Sequence, residues 1–198
     1  NGRVLDPVDP RTHKTPKQLL NSVTIPQISE EDLAIDMRGC TRANIIEIVP
    51  GTVVSNHLVE DVDQHDGQFL ISTEKDHLKI AVIERHNKGG SRATGIVKGL
   101  KLQRGAIATT IAHDSHNLIV VGAKEADMMF AIDEVRKMQG GIVVATNGQC
   151  VASLNLEICG LITSRQAQEV EGELQQLQQA IAELAPGCSF NPFLALSF

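Results

Sequence analysis

Between Ala106 and Ala123 the chain reads "AIATTIAHDSHNLIVVGA", two runs of small and β-branched apolar residues around five polar ones, His113, Asp114, Ser115, His116 and Asn117. Runs this short and this rich in Ile, Val and Thr favour extended backbone, and their lack of charge assigns both to a core. The reading is two strands, Ala106 to Ile111 and Leu118 to Val121, joined by the polar residues. A loop at the ends of core strands is where a rigid scaffold presents functional side chains. One stretch therefore specifies a sheet and the place to look for chemistry.

The rest of the chain extends that pattern. "ANIIEIV" runs into Pro50-Gly51 and then "TVVSNHLVEDV", two β-branched runs joined by a pair that favours a tight turn. "DHLKIAVIER" reads as a further strand, with Leu78, Ile80, Val82 and then Glu84 on one face. Helical spacing begins at Lys124: Met128, Ile132 and Val135 recur on one side, Glu125 and Asp127 open the segment, Arg136 and Lys137 close it, and Gly140-Gly141 stops it. In "GIVVATNGQCVASL" the Asn147-Gly148 pair predicts a two-residue hairpin, because both central positions of that turn need positive φ. A second helix is predicted over 164–185 on the stripe Val170, Leu174, Leu177, Ile181 and Leu184, with Thr163 and Gln166 as a capping box and Pro186-Gly187 as its end. Pro7, Pro10, Pro16 and Pro26 make residues 1–30 an extended connector. The expected fold class is α/β or α+β: mixed β-sheets with two main helices, about 124–139 and 164–185, packed against them. Residues 31–198 form the domain, divisible into sub-lobes at about 31–100 and 101–198.

Composition removes whole classes of function. With 42% hydrophobic and 21% charged residues in 198, the chain can bury a substantial core. A net charge of −6, no Trp, no Tyr and five Phe leave neither a basic surface for phosphates nor aromatics on which bases could stack, so nucleic acid is not an expected partner. No apolar run reaches the ~20 residues of a bilayer span and no signal peptide is visible, so a soluble, cytoplasmic protein without a membrane partner is expected. The opening Asn1, in place of Met, suggests a piece of a longer protein. Cys40, Cys150, Cys159 and Cys188 form no Cys-x-x-Cys pair and read as reduced, mostly buried thiols.

Two groups of residues carry candidate chemistry. In "AHDSHN" the imidazoles of His113 and His116 stand three residues apart with Asp114 between them, a set that could move protons near neutral pH or, as a weaker alternative, contribute His113, Asp114 and His116 to a metal. The competing reading is that Asp114, Ser115 and Asn117 cap their own backbone while the histidines satisfy buried carbonyls; the residues alone leave the two in balance. The second group is Glu84, Arg85 and His86, at the start of "ERHNKGGSRATG", a glycine-rich loop that could close over a ligand but lacks the lysine and hydroxyl of a phosphate loop. Its plainer reading is a long surface turn. His13, His57, His65 and His77 stand among polar residues and read as surface groups. No nucleophile elbow, His-Glu-x-x-His or Rossmann fingerprint is present.

Particular strings carry a resemblance further. "TPKQLLNSVTIPQISEEDL", "IIEIVPGTVVSNHLVEDV", "LKIAVIERH", "GIVKGLKLQRGAIATTIAHDSHNLIVVGA", "GGIVVATNGQCVASLNLEICGLIT" and "NPFLALSF" resemble, in order and over nearly the whole chain, the carboxy-terminal region of the prokaryotic adenine deaminases of the amidohydrolase superfamily. The resemblance implies a parent enzyme that converts adenine and water to hypoxanthine and ammonia in purine salvage. It also implies a metal-binding (β/α)-barrel preceding this region, where a divalent metal, manganese or iron, activates water against the ring carbon bearing the amine. The chain has no His-x-His and is too short for such a barrel with a further domain, so the family's metal ligands match no position here. "NKGGSRATG" is longer and more basic than the family's usual loop, and members usually continue beyond the closing "LSF".

On the resemblance, His113, Asp114, Ser115, His116 and Asn117, with Glu84, Arg85 and His86, are expected to support or close the barrel's active site. The alternative is a docking and oligomerisation module that takes no part in chemistry. The expected partners are the amino-terminal barrel, adenine through the parent, and further copies in a homo-oligomer; the fragment itself is expected to hold no cofactor and to be inactive alone.

Overall fold

The computed structural model describes residues 14–198, so His13 and the first half of the proline-rich lead-in lie outside the described residues. Eight strands form one mixed sheet: β1 (Arg42–Ile48), β2 (Ser55–Asp61), β5 (Leu78–Ile83), β6 (Arg92–Lys98), β7 (Ala106–Thr109), β8 (Leu118–Gly122), β9 (Gly141–Thr146) and β10 (Gln149–Asn155). Across the sheet they run β10-β9-β7-β8-β5-β6-β1-β2, and β3 (Gln64–His65) pairs with β4 (Gln68–Phe69) in a small ribbon. Every pairing in the large sheet is antiparallel except β1 with β6. Strands from either side of residue 100 pair directly, β5 with β8, within this one sheet. The mixed sheet with two long packed helices is the fold class expected from the sequence.

Alternation along the strands creates two apolar faces, and a helix covers each. Ala106, Ala108, Leu118, Val120, Val143 and Ala145 face α1 (Glu125–Met138), which buries Met128, Ala131, Ile132 and Val135 against them. The α1 axis runs close to β8, since a Cβ on Gly122 would stand 2.4 Å from Met128 Cγ. On the other face, Ile107, Val121, Ile142, Val144 and Leu154 meet Leu177, Ile181 and Leu184 of α2 (Ala167–Leu184), with Phe193 and Leu196 at and just beyond the short helix α3 (Pro192–Ala195). A third cluster, Met37, Ile45, Val62, Phe69 and Ile96, sits beneath β1 and β6.

Several local expectations hold. The Asn147-Gly148 hairpin forms with φ of 53° and 68° at its two central residues. The helix predicted over 124–139 spans Glu125–Met138, with Gln139 taking the left-handed cap position ahead of the glycines. Others need correction. The second helix starts at Ala167 with Gln166 as N-cap and no side-chain cap, so the Thr163/Gln166 capping box does not form; Thr163 instead binds Arg165 through its hydroxyl. Leu174, expected on the apolar stripe, is 38% exposed. Cys40 and Cys150 are exposed and Cys159 and Cys188 half-buried, so the thiols are free but not mostly buried. His77 is buried rather than on the surface: its Nε2–H donates to Glu60, whose carboxylate also takes Lys98. The described part of the lead-in is not a plain extended connector: it winds a short 3-10 turn at Lys17–Leu19, Val23, Ile25 and Ile28 belong to the core, and Arg136 of α1 donates to the carbonyls of Ile25 and Pro26. Among the described residues no helix is long and apolar enough to cross a membrane.

Candidate functional site

Ile83 at the end of β5 pairs with Leu118 at the start of β8, so the segments 84–91 and 113–117 leave the sheet at the same end. They meet there. His86 Nε2–H donates to the Ser115 carbonyl at 2.9 Å, joining two groups 29 residues apart in sequence. Thr24 of the lead-in runs parallel beside His86, its backbone N–H donating to the Arg85 carbonyl at 3.0 Å.

Glu84 and Arg85 face inward and are committed to structure. The Glu84 carboxylate accepts the backbone N–H groups of His86, Lys88 (3.1 Å) and Gly90 (3.0 Å), so the glycine-rich loop is wound around it. Desolvation pushes the Glu84 carboxyl up, but those three donors outweigh it and hold the group below its ordinary value. Arg85 is 2% exposed and has no carboxylate partner among the described residues. Its guanidinium donates to the carbonyls of Cys159 (3.0 Å) and Thr110 (3.2 Å), while Nε has no partner, and burial pushes its pKa below the ordinary value.

The 113–117 loop is arranged differently. Ser115 Oγ accepts the Asn117 N–H at 3.3 Å and His116 N–H donates to the Ala112 carbonyl at 2.7 Å, which bends the chain with His116 at a φ of 49°. The Nδ1 of His116 is buried without a hydrogen-bond partner. His113 and Asp114 are exposed, and their side chains make no hydrogen bond among the described residues. The His113 ring meets that of Phe198 with centroids 4.4 Å apart and planes tilted by 46°, and the His113 backbone N–H donates to the Ser197 carbonyl at 2.7 Å. The Ser115 hydroxyl thus caps the Asn117 backbone N–H, while the side chains of His113, Asp114 and Asn117 make no hydrogen bond among the described residues.

Among the described residues no group of three or more His, Cys, Asp or Glu side chains is gathered to hold a metal ion, so His113, Asp114 and His116 do not form the ligand set considered as an alternative. The residues that shape the site without a signal in their own neighbourhood are Thr110 and Gly160. The buried Thr110 hydroxyl donates to the Gly160 carbonyl at 2.6 Å and accepts the Gly141 N–H at 2.8 Å. A Cβ on Gly160 would stand 3.1 Å from Arg85 Nη1. Nothing adjacent to Thr110 in the sequence announces this, since both partners lie beyond α1.

Residues 52–198 match the family model described as the adenine deaminase C-terminal domain. The chain belongs to that family. It is 43% identical over 185 residues to an adenine deaminase of Lysinibacillus sphaericus, covering 93% of this chain and 32% of that protein. It is 40% identical over 198 residues to adenine deaminases of Geobacillus kaustophilus and Halalkalibacterium halodurans, in each case 100% of this chain and 34% of the relative. This adenine deaminase C-terminal domain thus spans about a third of the length of the relatives it matches, and the loops joined by His86 and Ser115 are features of such a domain.

Proposed function

We propose that this domain completes the active site of an adenine deaminase, the enzyme that hydrolyses adenine to hypoxanthine and ammonia in purine salvage. The observation that carries the reading is the pair of exposed side chains, His113 and Asp114, which make no hydrogen bond among the described residues, on a loop tied to the 84–86 segment by the His86–Ser115 bond. A surface turn with no task has no need of so many internal anchors. In this reading Glu84, Arg85 and His86 position the 113–117 loop, while His113 and Asp114 face the substrate cleft of a preceding barrel. In this reading the divalent metal, manganese or iron, belongs to that barrel. The domain alone does not deaminate adenine, and the enzyme works in the cytoplasm as a homo-oligomer.

The test is steady-state adenine deamination by full-length enzyme carrying His113→Ala or Asp114→Asn, with melting temperature measured alongside. A fall of at least about tenfold in kcat/KM, or roughly 1.4 kcal/mol of transition-state stabilisation, at unchanged melting temperature is expected. Unchanged kinetics in both variants overturns the reading. The second reading, a docking and oligomerisation module, is favoured by the commitment of Glu84 and Arg85 to backbone partners. It predicts that His116→Ala lowers melting temperature with turnover preserved.

A further inference from the structure

The face of the sheet that α2 covers is only half closed. Over β9 and β10 the helix packs directly, but over β1, β5 and β6 the apolar side chains of Ile46, Ile80, Val82 and Val97 form the floor of an open groove. Its walls are the 49–54 turn and the last residues of the chain, and two adjoining cavities of about 210 and 520 Å³ occupy it. Val53 and Val54 are 67% and 69% exposed on one rim, and Leu194 and Phe198 are 57% and 65% exposed on the other. No charged side chain lines either cavity, in a chain that is 21% charged.

We infer that this groove is the seat of the polypeptide that precedes the domain in full-length adenine deaminases, which docks an apolar segment between the 49–54 turn and Phe198. Three observations select that occupant. The relatives carry about two-thirds of their length outside the matched region, so a large covalent neighbour is at hand to cover an apolar face. A lining free of charge suits a surface covered permanently rather than one that opens to water in each encounter. The groove is also continuous with the candidate site, because Phe198 forms its wall and carries the His113 ring, and the lead-in passes beside His86 at the same end of the sheet. A covalently attached neighbour sits there at high effective concentration, so modest intrinsic affinity suffices to keep it docked. The inference rests on the reading of this chain as one domain of a larger deaminase, but not on any role of His113 or Asp114 in turnover.

The test is maleimide labelling at V53C and, separately, L194C, followed peptide by peptide so that Cys40 and Cys150 serve as internal exposed references. Rates are compared between this chain and full-length enzyme over a range of protein concentrations. The expected result is fast labelling in the chain and labelling slowed at least about tenfold in the full-length enzyme, unchanged on dilution. Equal rates in the two proteins overturn the proposal. Protection that weakens on dilution, in either protein, assigns the groove to a second copy and also overturns it, as does concentration-independent protection already present in the isolated chain. Because labelling does not depend on activity, failure here is distinct from failure of the His113 and Asp114 kinetics.

Discussion

Replacing Thr110 by Val removes one oxygen from a fully buried position and leaves the shape of the side chain nearly unchanged. That oxygen accepts the Gly141 N–H at 2.8 Å and donates to the Gly160 carbonyl at 2.6 Å. Thr110 is 0% exposed, so both groups meet the hydroxyl in a buried setting. Each buried group left without a partner costs ~1–3 kcal/mol, so the variant loses about 2–6 kcal/mol. A domain of this size has a total stability of roughly 5–15 kcal/mol and loses about 2–4 °C of melting temperature per kcal/mol, which places the expected drop between about 4 and 24 °C. Thr110→Ser keeps the hydroxyl and gives up one methyl, a loss of about 1 kcal/mol. Circular dichroism melts of the three proteins read the ranking, and hydrogen exchange at the Gly141 amide reads the cause. A T110V melt within about 1 °C of the parent, or an equal loss in T110S, refutes the reasoning.

Other outcomes follow from the same structure. Gly141→Ala places a Cβ 2.0 Å from the Leu154 carbonyl oxygen at a φ of 127°, so strain and overlap together should cost about 3 kcal/mol or more, read as a lower yield of folded protein and a depressed melt. Glu157 is pushed up by desolvation but held down, to about 2, by the Ser164 N–H, its own N–H and the hydroxyls of Ser164 and Thr163. A depressed folded-state value means stability that is present above the unfolded value near 4.3 and lost as pH falls through about 2. Screening at a partly exposed site reduces this to roughly 1–2 kcal/mol, so Glu157→Gln should melt lower than the parent at pH 7 and at nearly the same temperature at pH 2; a constant difference between the two pH values refutes the assignment. Arg85→Met should lower the melting temperature and slow turnover of full-length enzyme through the displaced 113–117 loop, with Arg85→Lys restoring part of both; unaltered kinetics in R85M would remove Arg85 from the positioning role.

Elements that depend on neighbouring residues were legible in the chain itself. The Asn147-Gly148 hairpin, α1 with its apolar stripe, and the strands around "AHDSHN" follow from turn chemistry and periodicity, which act over a few residues. The outward placement of His113 and Asp114 also follows, because two core strands must leave their connection at the surface. Capping at Thr163, the burial of His77 and the exposure of Cys150 were misread, since each depends on what another strand or helix brings alongside. Arg85 shows the difference most plainly. In sequence it is one member of a charged triplet, but the fold buries it against carbonyls from Thr110 and Cys159, 25 and 74 residues away. Local physics sets what each segment can become; the order of strands in the sheet decides which ends meet, and only that order joins His86 to Ser115 and seats Phe198 beside His113.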